Sequence, residues 1–184
     1  MSPTDDDADS DNEQLQRYAQ TIRDLRISHE AGHAVLAEHF GYKLLNLTIE
    51  AVIVSADEGA TGGSTDIDWN RLYPNSPDFD ERLLDAAAVF MGGRAAEELT
   101  HPHLASASHW KIDISDFKDR VRKVRTEVEM DAILEEGYLR AKTLLSNPEI
   151  SEQHNHLRRF LATEHRPQQR NGRFLVRVMK GLSS

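Results

Sequence analysis

Residues 28–34 read Ser-His-Glu-Ala-Gly-His-Ala. On an α-helix, positions four apart share a face one turn apart, so His29 and His33 can aim both imidazoles at one point. Zinc–nitrogen bonds of about 2.0–2.1 Å need that convergence. Glu30 follows the first imidazole but is rotated around the helix, which makes it a poor third ligand from the same turn. It can instead reach a water in the open position of a metal and act as general base during attack on a carbonyl. Gly32 adds no bulk beside the ion.

His-Glu-x-x-His is the spacing of zinc peptidases. The competing reading is an ordinary helix carrying two imidazoles. A catalytic zinc needs a third protein ligand, and spacing alone leaves several: His101 and His103 around Pro102, Glu97 and Glu98 on a helix, and Asp113 and Asp116 near a helix start. His39 falls on another side of the motif helix. The chain has no cysteine, so a metal must be held by histidine and carboxylate. His154 and His156 spell His-Asn-His on an amphipathic stretch, and no ββα-metal context gives those letters a nuclease meaning.

The elements that must position these groups follow from pattern. Residues 1–14 are acidic with little to bury and are expected to form a solvated tail. Leu15, Tyr18, Ile22, Leu25 and Ile27 make a helical stripe, and a second helix is expected through the motif to Gly41, a natural C′ residue. The Leu/Ile/Val/Thr-rich stretch 43–66 predicts two or three short strands with a glycine-containing turn. Residues 69–78 read as loop. Helix is expected on both sides of Gly92-Gly93, where two glycines predict a break or a close backbone approach. Residues 101–111 read as an irregular connection and 113–147 as one long helix or two joined ones, with Phe117, Val121, Val124, Val128, Ile133 and Leu134 as its apolar face. Another helix covers 150–165, and 172–182 fits strand or helix. The sum is a mainly α domain with a small β-sheet, an α+β fold.

The chain's 184 residues suit one domain with a real core. A net charge of −9 disfavours nucleic acid. No apolar run approaches the roughly 20 residues of a membrane span, and the acidic N-terminus is the opposite of a secretory signal, so a cytoplasmic protein is expected.

Several segments together resemble one family. The stretches "SHEAGHAVLAEHFGY" and "FMGGRAAEEL", then "DAILEEGYLRAKTLLSN" and "HNHLRRFLATEH", look in that order like the protease domain of FtsH-type proteases, the M41 zinc metallopeptidases, over roughly residues 18–166. The resemblance implies an M41-like peptidase domain over 15–184 with an FtsH-like zincin fold, and Zn2+ held by His29, His33 and an aspartate followed by an apolar residue at a helix start. Asp116-Phe117 suits that pattern best, with Asp113-Ile114 as the alternative; the other aspartate would be a helix cap. Glu97 is expected to support a ligand histidine from behind. "EGATGGST" matches the strand beside the cleft, so Gly62, Gly63 and Ser64 are expected to bind an extended polypeptide substrate along a sheet edge. The resemblance also implies a ring-like homo-oligomer. No G-x-x-x-x-G-K-[ST] occurs, so this chain would act alone or with a separate ATPase partner. The family's Gly-Met-Ser loop is missing, and "ASASHWKIDISD" replaces a tighter Gly-Ala-containing stretch. Alternatives to a zinc endopeptidase are a non-catalytic binding or oligomerisation module and a zinc hydrolase of small amides or esters.

Overall fold

The computed structural model describes residues 5–50, 53–54, 59–60, 62–70, 72, 76–163 and 168–182. It is mostly helical with small antiparallel sheets, an α+β fold. The first element, α1, runs unbroken over Asp5–His39. Two helices and a tail boundary at 14/15 were expected there. No proline or glycine interrupts residues 5–31, so nothing stops helical hydrogen bonding. The stripe divides: Leu25 and Ile27 are buried, whereas Leu15 and Tyr18 are about half exposed. Gly41 (φ 71°) ends the helix. The N–H of Tyr42 donates to Ala37 O and that of Gly41 to Glu38 O, a Schellman closure.

Strand β1 (Lys43–Ile49) is the centre of a three-stranded sheet, flanked by β4 (Gly63–Asp68) and β5 (Gln168–Asn171), both antiparallel to it. Leu44, Leu47 and Ile49 point into the core. A small hairpin pairs β2 (Ile53–Val54) with β3 (Gly59–Ala60). Among the described residues β4 has no ladder partner on its outer side.

Helices α2 (Phe79–Phe90) and α3 (Gly92–Thr100) break at Met91. Both expected reasons for the glycine pair hold. A Cβ on Gly32 would lie 2.4 Å from Gly92 O, and one on Gly93 would lie 2.4 Å from His29 Cε1. Here α1 and α3 cross backbone to backbone, and an imidazole fills the remaining gap.

Two helices, α4 (Lys111–Val121) and α5 (Glu127–Leu145), occupy 111–145. Thr126 and Glu129 form a capping box between them. The break resets the helical register: Phe117, Val121 and Leu134 are buried, but Val128 is 79% exposed, and Met130, Tyr138, Ala141 and Leu145 carry the α5 core face instead. Helix α6 (Pro148–Thr163) packs on α1, and α7 (Gly172–Met179) makes the last stretch helical.

Gly32→Ala tests the crossing. Alanine's helix advantage of roughly 1 kcal/mol is outweighed by overpacking worth about 1–3 kcal/mol, at the upper end because the obstacle is backbone. Urea denaturation should show a clear net loss of stability; a stabilised variant would mean the helices do not approach this closely.

Candidate metal centre

His29, Glu30 and His33 are all buried in the C-terminal third of α1, facing a cavity of about 580 Å³ between α1, β4 and α4. The imidazoles meet: their Nε2 atoms are 3.0 Å apart. Each ring is fixed through its other nitrogen. His33 Nδ1–H donates to Val89 O at 2.7 Å. Val89 sits in the last turn of α2. His29 Nδ1–H donates to Glu97 Oε1 at 2.8 Å, and Glu97 is itself 1% exposed. The α3 glycines bring that carboxylate behind His29.

The carboxylate that joins the imidazoles is Asp113, not Asp116. Asp113 Oδ2 lies 3.1 Å from His29 Nε2 and 3.6 Å from His33 Nε2. Among the described residues, these three side chains form a group whose donor atoms all lie within 4.8 Å of one another. Asp116 is exposed on the cavity wall. The reason is helical register. Asp113, Phe117 and Val121 follow one another at intervals of four, so the inward face that buries Phe117 and Val121 also carries Asp113; Asp116 is turned away by one residue from Phe117. Among the other histidines, His39 and His103 are exposed, and His101 Nδ1 engages Thr100 Oγ1. Glu98 is taken up by Arg94, Tyr138 and Lys142. His154 is buried under α1, where its Nε2–H donates to Ser28 O, and burial pulls its pKa down to about 4, which keeps it neutral.

The donor set fits a cation. With both Nδ1 atoms committed as donors, neutral imidazoles present two Nε2 lone pairs to each other and to an anionic oxygen. Asp113 Oδ2 is enclosed, and its nearest polar neighbours are the two imidazole nitrogens themselves. Three electron-rich atoms in one dry place repel unless positive charge sits among them. Ligands about 2.1 Å from a tetrahedral centre lie roughly 3.4 Å apart, close to the separations seen here. The electrostatics agree. Burial raises the Asp113 pKa, yet His33 and His29 beside it hold it well below the usual carboxylate range. Burial likewise pulls the His29 pKa down, but the carboxylates of Asp113, Glu97 and Glu30 outweigh that and raise it to about 9. Without metal, a proton on His29 supplies the missing charge.

Glu30 is held from two sides. Thr65 Oγ1 of β4 donates to Glu30 Oε2 at 2.8 Å, and Arg26, one turn earlier on α1, stands 3.5 Å from Oε1. Gly63 brings the strand against the same carboxylate: a Cβ there would lie 2.9 Å from Oε1. Gly62, Gly63 and Ser64 line the cavity. At its other end Trp69 stacks on Phe90 at 4.6 Å. Sequence reasoning missed Thr65, Arg26 and His109, whose Nδ1 lies 2.9 Å from Glu97 Oε2. Only Arg26 carried a signal, its i,i+4 spacing to Glu30.

The His29 shift sets a pH dependence. Its ordinary pKa is 6.5 and its folded value about 9, so the native state binds this proton more tightly than the unfolded chain. In chelator-stripped protein the resulting stability is complete below pH 6.5 and is lost as pH rises to 9. Urea midpoints should fall across that window, and the fall should vanish in His29→Gln; identical slopes in both proteins would contradict the arrangement. A divalent cation bound by these three groups would displace the same proton, so its uptake at pH 7 should release about one proton, readable by calorimetry in buffers of different ionisation enthalpy.

No protein-family model matches the chain. Over 105 residues it is 33% identical to the ATP-dependent zinc metalloprotease FtsH of Mesomycoplasma conjunctivae. That stretch is 55% of this chain and only 13% of the relative. The similarity is distant and points to the same family as the motifs do. No helix among the described residues is long and apolar enough to cross a membrane.

Proposed function

We propose that the chain is an FtsH-like zinc metallopeptidase that hydrolyses peptide bonds in unfolded or flexible polypeptides. The observation that carries this reading is the meeting of His29 Nε2, His33 Nε2 and Asp113 Oδ2 around one point beside the carboxylate of Glu30, in a cleft open to an edge strand. The distant zinc metalloprotease relative supports it.

Zinc held by His29, His33 and Asp113 would supply Lewis acidity to the scissile carbonyl and acidify a water. Glu30 would accept a proton from an attacking water and return it to the departing amine. Thr65 and Arg26 orient its two oxygens for this exchange, and burial keeps competing solvent away. Glu97 and Val89 O lock the imidazoles in the tautomer that presents Nε2 as a lone pair. An extended substrate adds its backbone to the outer side of β4 along Gly63 and Ser64, a mode that reads main chain more than side chains. Thr65 belongs to that strand, so base and substrate share one support. A ring-like homo-oligomer and a separate ATPase that feeds the cleft complete the proposal.

The test is cleavage of casein by zinc-loaded protein. Glu30→Gln should retain zinc but lose at least about 100-fold in rate. Asp113→Ala should lose most bound zinc, whereas Asp116→Ala should keep it. Wild-type protein that is fully loaded yet inert on casein and on short peptides, with no separate ATPase able to rescue it, would favour a binding module. Zinc retained by Asp113→Ala would overturn the ligand assignment.

A further inference from the structure

The third ligand and the brace behind the first arrive on one piece of chain. His109 immediately precedes Trp110, the residue that opens α4, and Asp113 lies in the first turn of that helix. Trp110 is buried, and the guanidinium of Arg94 lies 5.3 Å from its ring centre. Arg94 is on α3, as is Glu97, so α3 and the start of α4 are clamped together beside the centre.

Glu97 has two buried carboxylate oxygens to satisfy. Oε1 accepts from His29 Nδ1–H at 2.8 Å, and Oε2 accepts from His109 Nδ1–H at 2.9 Å. A carboxylate anchored at one oxygen can still swing about its terminal torsion; anchored at both, it cannot. The contacts close a circuit. His29 Nδ1 joins Glu97, Glu97 joins His109, residues 109–113 lead to Asp113, and Asp113 Oδ2 returns to His29 Nε2 at 3.1 Å. One break leaves Glu97 Oε2 without its donor in the interior and frees the ring whose direction sets the first ligand.

We propose that His109 is a positioning residue of the metal centre, acting through Glu97 to hold His29 Nε2 on the point that Asp113 also faces. This rests on the metal reading above. His109 lines the cavity with its side chain 28% exposed, so it reaches the inner carboxylate from the solvent side without being sealed in, and its hydrogen bond goes to Glu97.

The experiment uses the whole 184-residue chain, Co2+ as probe, and two variants. His109→Phe keeps ring bulk but has no N–H; His109→Asn places an amide N–H where Nδ1–H was. Cobalt affinity should fall about 10–100-fold in the phenylalanine variant, and its visible absorption band, which reports coordination geometry, should shift. Both should return towards wild type in the asparagine variant. A role in packing alone would instead lower the melting temperature of metal-stripped protein and leave the affinity and the band unchanged, which would overturn the proposal. Equal behaviour of the two variants, whether both resemble wild type or both are impaired, would also overturn it. Wild-type protein that binds no cobalt would remove the metal centre itself, a separate failure from wild-type binding with an unaffected phenylalanine variant.

Discussion

Two imidazole lone pairs and one carboxylate oxygen are held face to face in a protein interior, and that is tolerable only with positive charge between them. Repulsion among such atoms is strong where water is scarce, so each must be restrained from behind. His33 is restrained by the end of α2 through Val89 O, His29 by α3 through Glu97, and Asp113 by the buried Phe117–Val121 face of its own helix. Four helices therefore converge on one small volume, and their mutual placement is what the centre requires of the fold.

That placement depends on how closely α1 and α3 cross. Gly32 and Gly92 let the backbones touch, and Gly93 leaves room for the His29 ring. The break at Met91 redirects the chain so that α2 ends against one imidazole while α3 carries Glu97 behind the other. The sheet contributes from the opposite side, where Thr65 links β4 to Glu30. Packing and chemistry use the same residues here, because small side chains on the helices are what bring the polar ones into range.

The parts legible beforehand were those written in local spacing. His29 and His33 follow from a four-residue interval, and Gly41 from the need for positive φ after a helix. The glycine pair signalled both a break and a close approach. Asp113 was also within reach, since its interval of four to Phe117 marks the inward face; a preference for the dipeptide around Asp116 obscured it. The polar composition of residues 1–14 suggests a tail, yet no residue from 5 to 31 stops a helix, so α1 runs unbroken. Val128 was placed on a face that the turn at 122–126 resets. Thr65, Val89 O and His109 could not be read at all: each acts through an atom brought close by tertiary packing from more than ten residues away, and nothing in their immediate neighbours distinguishes them.

The three converging atoms are nitrogen, nitrogen and oxygen, and the chain holds no thiol at all. Peroxide and disulfide stress act on thiolates and thioethers, so they would find nothing to attack among these donors. Acid would reach them, because protons compete for the same lone pairs. A metal centre built from these donors offers thiol-directed oxidants no ligand to attack, and acid is what would empty it.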